Sequence, residues 1–84
     1  MTKFSISLQN HFMFSRELAL KLISSLTKYE SSIMIRDKNR TVNARSLLGI
    51  VSLGIISSDN IEFIIDGPDE DNIKETIQSF FEKI

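Results

Sequence analysis

The sequence of 84 residues lacks cysteine and tryptophan, and it contains one proline and three glycines. Without cysteine, the chain can form neither a disulfide nor a thiolate metal site, which fits a reducing compartment. The longest apolar runs are far shorter than the ~20 residues that cross a bilayer. The amino terminus also lacks the apolar core of a signal peptide. We therefore expect a cytoplasmic protein that has no membrane partner.

Neither sign of charge dominates the sequence. Ten Lys and Arg residues face eleven Asp and Glu residues, and the net charge is −1. The basic residues are scattered, so nothing in their distribution indicates a nucleic-acid partner. The hydrophobic content of 42% and the charged content of 25% are typical of soluble globular proteins. The length predicts one domain, residues 1–84, with one modest core.

Hydrophobic periodicity predicts the element order β-α-β-β-α-β-α. The four predicted strands are residues 4–9, residues 32–37, residues 41–42 and residues 61–66. The three predicted helices are one that opens at Ser15 and reaches Tyr29, a short one between Ser46 and Gly54, and one from Glu70 to Ile84. Residues 37–40 have the composition of a tight turn in which Asn39 takes the positive φ, and residues 57–60 form a polar loop.

Alternation along the strands predicts a sheet with one buried face. Ile33 and Ile35 share one face of their strand, while Met34 and Arg36 share the other. Right-handed crossovers place the helices on one side of such a sheet. We expect an α+β fold, an open-faced two-layer β-α-β-β-α-β-α sandwich with a four-stranded, mostly antiparallel sheet and three helices on one face. In the last helix, Ile73, Ile77, Phe80, Phe81 and Ile84 fall on a single apolar face.

The most informative stretch is residues 41–56, where Ser46 precedes a short apolar run that Gly49 and Gly54 interrupt. We interpret it as one or two helical turns with Ser46 as the N-cap and Gly54 as the stop. The start of a helix carries partial positive charge, so it tolerates a phosphate.

This run is more apolar than a two-turn helix can bury on one side. We predict that Ile50 and Leu53 belong to the core. Leu47, Leu48 and Val51 are then the candidate docking residues, joined by Phe14 and Leu20. Ordinary core packing of the short helix is the alternative.

Two segments of the sequence resemble the characteristic segments of one protein family. Residues 42–54, V-N-A-R-S-L-L-G-I-V-S-L-G, resemble that family's V-N-x-K-S-I-M-G-V-M-S-L-G. Residues 66–70, D-G-P-D-E, resemble its x-G-A-D-E before the last helix. The chain thus resembles the HPr phosphocarrier family of the bacterial sugar phosphotransferase system, and the likeness runs without gaps over essentially the whole chain. It implies the open-faced sandwich and a role in the phosphoenolpyruvate-dependent sugar phosphotransferase system.

The chain departs from the family at the phosphoacceptor motif, G-[IL]-H-A-R-P-A. Ser15 stands at the histidine that carries the phosphoryl group, Glu17 at the arginine and Leu18 at the proline. Ala19 is retained, and Arg16 lies one place out of register. A serine ester is too stable to be a good phosphoryl donor, and Glu17 would repel an incoming phosphate.

In Gram-positive members of the family, a dedicated kinase phosphorylates the serine equivalent to Ser46, and the product binds a transcriptional repressor of catabolic genes. The Crh class keeps that serine and lacks the phosphoacceptor histidine. This chain resembles that class in outline, although Crh proteins usually carry glutamine at the former histidine and have a nearby arginine. The resemblance implies a regulatory protein of carbon catabolite control. Its implied partners are the HPr Ser-kinase, a catabolite-control transcription regulator or phosphotransferase-system enzymes.

Alternatives remain open at this point. The chain is alternatively a phosphocarrier component, with His11 as a displaced acceptor, or an unphosphorylated docking domain. Ser15 is either a kinase target or only an N-cap, and Arg16 is a candidate for binding anions and partners.

No acid–base or nucleophile–base constellation is visible, so we expect no enzyme, and neither a metal nor a cofactor is indicated. The first strand lies at a sheet edge, which predicts a monomer or a strand-exchanged dimer.

Overall fold

The computed structural model describes residues 1–9, 11–56 and 60–84. The predicted β-α-β-β-α-β-α order is confirmed. The elements are β1 (Thr2–Ser7), α1 (Arg16–Leu26), β2 (Ser32–Asp37), β3 (Arg40–Asn43), α2 (Leu47–Ser52), β4 (Asn60–Asp66) and α3 (Glu70–Glu82). In the described ranges, no helix has both the length and the apolar character needed to span a membrane.

The four strands form one sheet in the order β1-β4-β2-β3, and each of these pairings is antiparallel. Phe63 of the inner strand β4 lies opposite Phe4 on one side and Ile35 on the other, and Ile35 in turn pairs with Val42. Phe63 is fully buried, and its ring stacks on that of Phe4 with 5.6 Å between centroids. This apolar row crosses the whole sheet and forms the floor of the core.

One hydrophobic core joins the sheet to all three helices. Its helical members are Ala19, Leu22 and Leu26 on α1, Ile50 on α2, and Ile73 and Ile77 on α3. Its strand members are Ile6, Ile33, Ile35, Ile61, Phe63 and Ile65. The alternate strand positions, such as Ser5 and Arg36, are exposed. The sheet therefore buries one face and opens the other to water, as the alternation predicted.

Both long helices end earlier than predicted. α1 ends at Leu26 instead of reaching Tyr29, because the following backbone turns so that the Tyr29 N–H donates to the Leu26 carbonyl at 3.3 Å. α3 ends at Glu82, and Ile84 is 58% exposed because it lies beyond the helix, not on its buried face.

The predicted turn between β2 and β3 is correct in place but wrong in detail. The left-handed backbone falls at Lys38, with φ +57°, and not at Asn39. Lys38 is the first central residue of the two-residue loop that closes the Asp37–Arg40 pair, and the turns that suit such loops need positive φ there. At the predicted polar loop, residues 57–59 lie outside the described residues, and Asn60 already belongs to β4.

Glu70 connects the start of β1 to the start of α3. Its Oε1 accepts a hydrogen bond from the Thr2 hydroxyl at 2.6 Å, and its Oε2 accepts one from the Gly67 N–H at 3.1 Å. The amino group of Met1 lies 3.3 Å from the same Oε2. These contacts, led by that of Thr2, lower the pKa of Glu70 below 4.5.

We expect Thr2→Val to raise the pKa of Glu70 toward 4.5, because it removes the largest cause of the lowering. An NMR titration of the Glu70 carboxyl carbon measures this directly, and Thr2→Ser, which keeps the hydroxyl, is the control. A carboxyl group whose pKa is lower in the folded state than in the unfolded state stabilises the fold at pH values above its unfolded-state pKa. This stabilisation is lost as the pH falls through the folded-state pKa. The difference in Tm between wild type and Thr2→Val should therefore shrink as the pH is lowered from about pH 6 to about pH 3. A difference independent of pH would contradict the assignment.

Candidate docking and phosphorylation site

Ser46 caps α2, as predicted from the sequence. Its Oγ accepts a hydrogen bond from the Gly49 N–H at 3.0 Å, and its carbonyl accepts one from the Ile50 N–H at 2.9 Å. A β-carbon at Gly49 would lie 3.2 Å from the Ser46 Oγ, so glycine keeps space open around the hydroxyl. Gly54 follows the C-cap residue Leu53 with φ +61°, which ends the helix as predicted.

Arg45, the residue before this cap, ties α2 to the end of α1. Its guanidinium donates to three carbonyls, those of Leu26 at 3.1 Å, Tyr29 at 2.6 Å and Ser31 at 2.9 Å. The last turn of α1 contains no basic residue of its own, so Arg45 supplies the positive charge that the carboxyl end of a helix favours. This role of Arg45 was not predicted from the sequence. The missing basic residue at the end of α1 was the one available signal.

A second arginine holds the other end of α2. Arg40 on β3 donates from Nη1 to the Ser52 carbonyl at 2.9 Å and from Nη2 to the Leu53 carbonyl. The last turn of α2 also lacks a basic residue. The six-residue helix is therefore held at both ends by arginines that lie outside it. A helix this short is not stable in isolation, so these anchors are part of what maintains it.

The predicted docking residues differ in exposure. Leu48 is 80% exposed and Leu20 is 42% exposed, whereas Leu47 and Val51 are half-buried at the edge of the core. They lie on α1 and α2, which contact each other. Ile50 and Leu53 are buried, as predicted.

Phe14 was wrongly expected on the docking surface. Its side chain is 3% exposed, because it packs edge-on against the rings of Phe12 and Phe81 at 5.0 and 6.1 Å. Met13 and Ile55 pair in an isolated β-bridge and are also exposed, by 56% and 58%. We call the predicted docking residues Leu20, Leu47, Leu48 and Val51 together the apolar docking surface.

Ser15 occupies the N-cap of α1. Its Oγ accepts a hydrogen bond from the Leu18 N–H at 3.0 Å, which satisfies one donor of the first turn. Arg16 and Glu17 follow it and are exposed, and Glu17 lies where the helix dipole favours a negative charge. His11 is an exposed loop residue with φ +62°.

The acidic residues at the start of α3 make structural contacts. The Asp69 carboxylate accepts a hydrogen bond from the Glu30 N–H at 2.7 Å, and Glu70 accepts bonds from Thr2 and Gly67. Within residues 1–9, 11–56 and 60–84, no group of His, Asp or Glu side chains is placed to hold a metal ion. Glu70 and Asp71 lie in the first turn of α3, where the helix dipole favours negative charge.

Comparison with known proteins places the chain in a family. Residues 6–83 match the family described as "PTS HPr component phosphorylation site". The chain belongs to this HPr family of the phosphotransferase system. It is 34% identical to the HPr-like protein Crh of Halalkalibacterium halodurans over 65 residues, 77% of each chain. It is therefore similar to Crh as well as to HPr.

The predicted HPr-like fold is confirmed by solved structures. HPr-C-His of Thermoanaerobacter tengcongensis, 26% identical, superposes with a TM-score of 0.84 over 98% of this chain and 92% of that one. Crh of Bacillus subtilis, 18% identical, shares the fold with a TM-score of 0.76 over 99% of this chain and 95% of its own. That Crh structure is a dimer with a swapped domain.

Proposed function

We propose that this HPr-family chain regulates by docking on partner proteins and is switched by phosphorylation of Ser46, and that it is not a His phosphocarrier. The observation that carries this proposal is the contrast between two serine caps. Ser15 replaces the family's phosphoacceptor histidine and caps α1, with Glu17 exposed beside it. Ser46 lies in the segment that resembles the family's regulatory serine, and Leu48, two residues later, is 80% exposed.

The chemistry of a phosphate at Ser46 supports regulation. A phosphate adds about −1.5 to −2 charges at neutral pH. At Ser46 it would lie against the positive end of α2, and glycine at position 49 leaves space beside the hydroxyl. Arg45 and Arg40 hold α2 from outside, so the phosphate changes the charge of a fixed surface, not its shape.

The proposed partners are proteins. They are the HPr Ser-kinase, a catabolite-control transcription regulator or phosphotransferase-system enzymes, which would contact the apolar docking surface and Arg16. The chain would act in the cytoplasm as one domain, by binding and without catalysing a reaction.

β1 is an edge strand of the sheet, so a strand-exchanged dimer is proposed beside the monomer. The exposure of Leu48 equally favours a second candidate, an unphosphorylated docking domain.

Intact-mass spectrometry tests the proposal. The protein is incubated with a Gram-positive HPr Ser-kinase and ATP, and separately with the general phosphotransferase enzyme and phosphoenolpyruvate. We expect one added phosphate in the first mixture, its complete loss in Ser46→Ala, and no change in the control Ser15→Ala. An acid-labile phosphate in the second mixture would instead establish a carrier and point to His11. No mass change in either mixture would leave the unphosphorylated docking domain.

We expect Leu48→Glu to weaken binding to a catabolite-control transcription regulator more than tenfold, because burial of an exposed leucine side chain in an interface contributes about 1.5–3 kcal/mol. Isothermal titration calorimetry with the phosphorylated protein measures the affinity. The matched control is Gln78→Glu, which adds the same charge at an exposed position on α3. Both variants should change the free energy of unfolding by less than about 0.5 kcal/mol. Equal affinities for the two variants would remove Leu48 from the interface.

A further inference from the structure

The outer edge of β1 is open to a further strand. In the described part of the chain, β4 is the one strand that pairs with β1. Backbone N–H and C=O groups of a strand point alternately to its two sides, so half of those in β1 point away from the sheet. α3 packs on both β1 and β4, which places it above the helical side of this edge.

Two opposite charges on α3 lie beside this edge. The Lys74 ammonium group is 5.7 Å from the centre of the Phe4 ring. Glu82, which is exposed, lines a cleft together with Ile6 and Ser7. The two charged residues are eight positions apart on α3, or roughly 12 Å, which is the length of three to four strand residues. α3 therefore runs beside β1 in the same direction, with the positive charge near the start of the strand and the negative charge near its end.

The other charges of α3 lie away from the middle of this edge. Glu70 is hydrogen-bonded to Thr2, the first residue of β1. Asp71 follows it in the first turn of the helix. Glu75 and Lys83 line the groove between α3 and α1, on another side of the helix. The edge thus presents one cation and one anion, separated along the strand.

We propose that this edge pairs with the same edge of a second copy of the chain, antiparallel about a two-fold axis at Ile6, while β1 stays in its own sheet. Lys74 is level with Phe4, and Glu82 is level with residues 7–8, so the point midway between the two charges is at Ile6. A two-fold axis there sets Lys74 of each copy opposite Glu82 of the other. An axis one residue earlier would move Glu82 toward Glu70 of the second copy, and like charges would repel.

The side chains of the strand are compatible with this register. Directly opposite residues of an antiparallel pair lie on the same face of the sheet. The opposed pairs are Phe4–Leu8 and Ile6–Ile6 on the helical face and Ser5–Ser7 on the open face. Lys3, the one charged residue of β1, lies opposite the uncharged Gln9. Apolar residues therefore meet apolar residues, and no like charges are opposed on the strands.

The dimer is small and reversible. Each copy contributes one short strand and one side of a helix, which is typical of transient interfaces, and we expect a Kd on the order of 100 µM. The contact shares no residue with the apolar docking surface and does not need phosphorylation of Ser46. Its failure would therefore leave the proposed function untouched. Because β1 is not exchanged, the dimer forms and dissociates without unfolding.

Sedimentation equilibrium of the full chain at low salt, over a hundredfold range of concentration around the expected Kd, tests the charge contacts. Lys74→Glu and Glu82→Lys should each lower the dimer affinity about tenfold, because each replaces two attractive contacts by two repulsive ones. The double variant Lys74→Glu/Glu82→Lys should recover the wild-type affinity to within about twofold. Glu75→Lys, which makes the same charge reversal on the side of α3 toward α1, is the matched control and should change nothing. A monomer at every concentration, or no recovery in the double variant, would overturn the proposal.

Disulfide trapping tests the register, since the chain has no cysteine of its own. Ser5→Cys and Ser7→Cys are mixed in a glutathione buffer. Because Ser5 is opposite Ser7 of the second copy, the mixed disulfide should exceed either homodimer at least fivefold. An excess of the Ser5→Cys homodimer would move the axis and overturn the assigned register. A wild-type dimer that forms only after unfolding and survives dilution for hours would be the strand-exchanged form, and it would also overturn the proposal.

Discussion

Gly67→Ala should lower the free energy of unfolding by about 4 kcal/mol, because backbone strain and a steric clash act together. Gly67 has φ +148°, a conformation that residues with a β-carbon rarely adopt. The new β-carbon would lie 2.7 Å from the Ser31 Cα. Ser31 is buried, and its Oγ accepts a hydrogen bond from the Asp69 N–H at 2.9 Å, so it cannot move without loosening the start of α3. Urea unfolding measures the loss.

Gly54→Ala is the matched control for this prediction. Gly54 also has positive φ, +61°, but a β-carbon there would meet nothing within 4 Å. Its cost should therefore be the conformational term alone, about 1 kcal/mol. The difference between the two variants isolates the clash with Ser31. If both lost the same free energy of unfolding, the clash would make no contribution.

The second large effect is expected at Arg45. Arg45→Ala should lower the free energy of unfolding by about 3 kcal/mol, because hydrogen bonds from a charged donor contribute about 1.5–3 kcal/mol each and three such bonds do not add fully. The loss leaves the carbonyls of Leu26, Tyr29 and Ser31 without their guanidinium donor. Hydrogen exchange should rise first at the end of α1 and the start of α2, the two segments that Arg45 joins.

Two further variants test whether the planar guanidinium of Arg45, with its several donors, is needed or whether a positive charge is enough. Arg45→Lys retains the charge but presents a single ammonium group to three separated carbonyls, so it should recover less than half of the loss. Arg36→Ala removes an exposed arginine whose Nη1 lies 4.0 Å from the Glu62 carboxylate, and it should cost less than about 1 kcal/mol. A cost at Arg45 no larger than at Arg36 would contradict the anchoring role.

Local pattern predicted most of the fold. Alternation in residues 32–37 and helical spacing in the last segment give β2 and α3 their type and buried face, since both periods depend only on near neighbours. The end of α1 was not predictable in this way. The Leu26 carbonyl accepts hydrogen bonds from the Tyr29 N–H and from the Nε of Arg45, and the second bond spans 19 positions of sequence that leave no local pattern. Lys38 has positive φ for a similar reason, because the pairing of β2 with β3 imposes it.

At the candidate site, too, features set by neighbouring residues were predictable and features set by long-range contacts were not. The capping role of Ser46 and the burial of Ile50 follow from a serine before a short apolar run, and the structure bears out both. The position of Phe14 was wrong because its burial depends on Phe12 and Phe81, the latter on a helix far along the chain. Phosphorylation of Ser46 and the partner itself depend on a second protein, so they remain predictions.

The external anchoring of α2 bears on how this surface can change over generations. Arg40 and Arg45 lie outside the helix, and Ile50 alone among its residues is fully buried. Positions such as Leu48 therefore contribute little to folding and are free to accept substitutions. A lineage can exchange one partner for another by altering these side chains while the scaffold beneath them stays intact. Sequence divergence at such a surface would then change the binding partner without destabilising the fold.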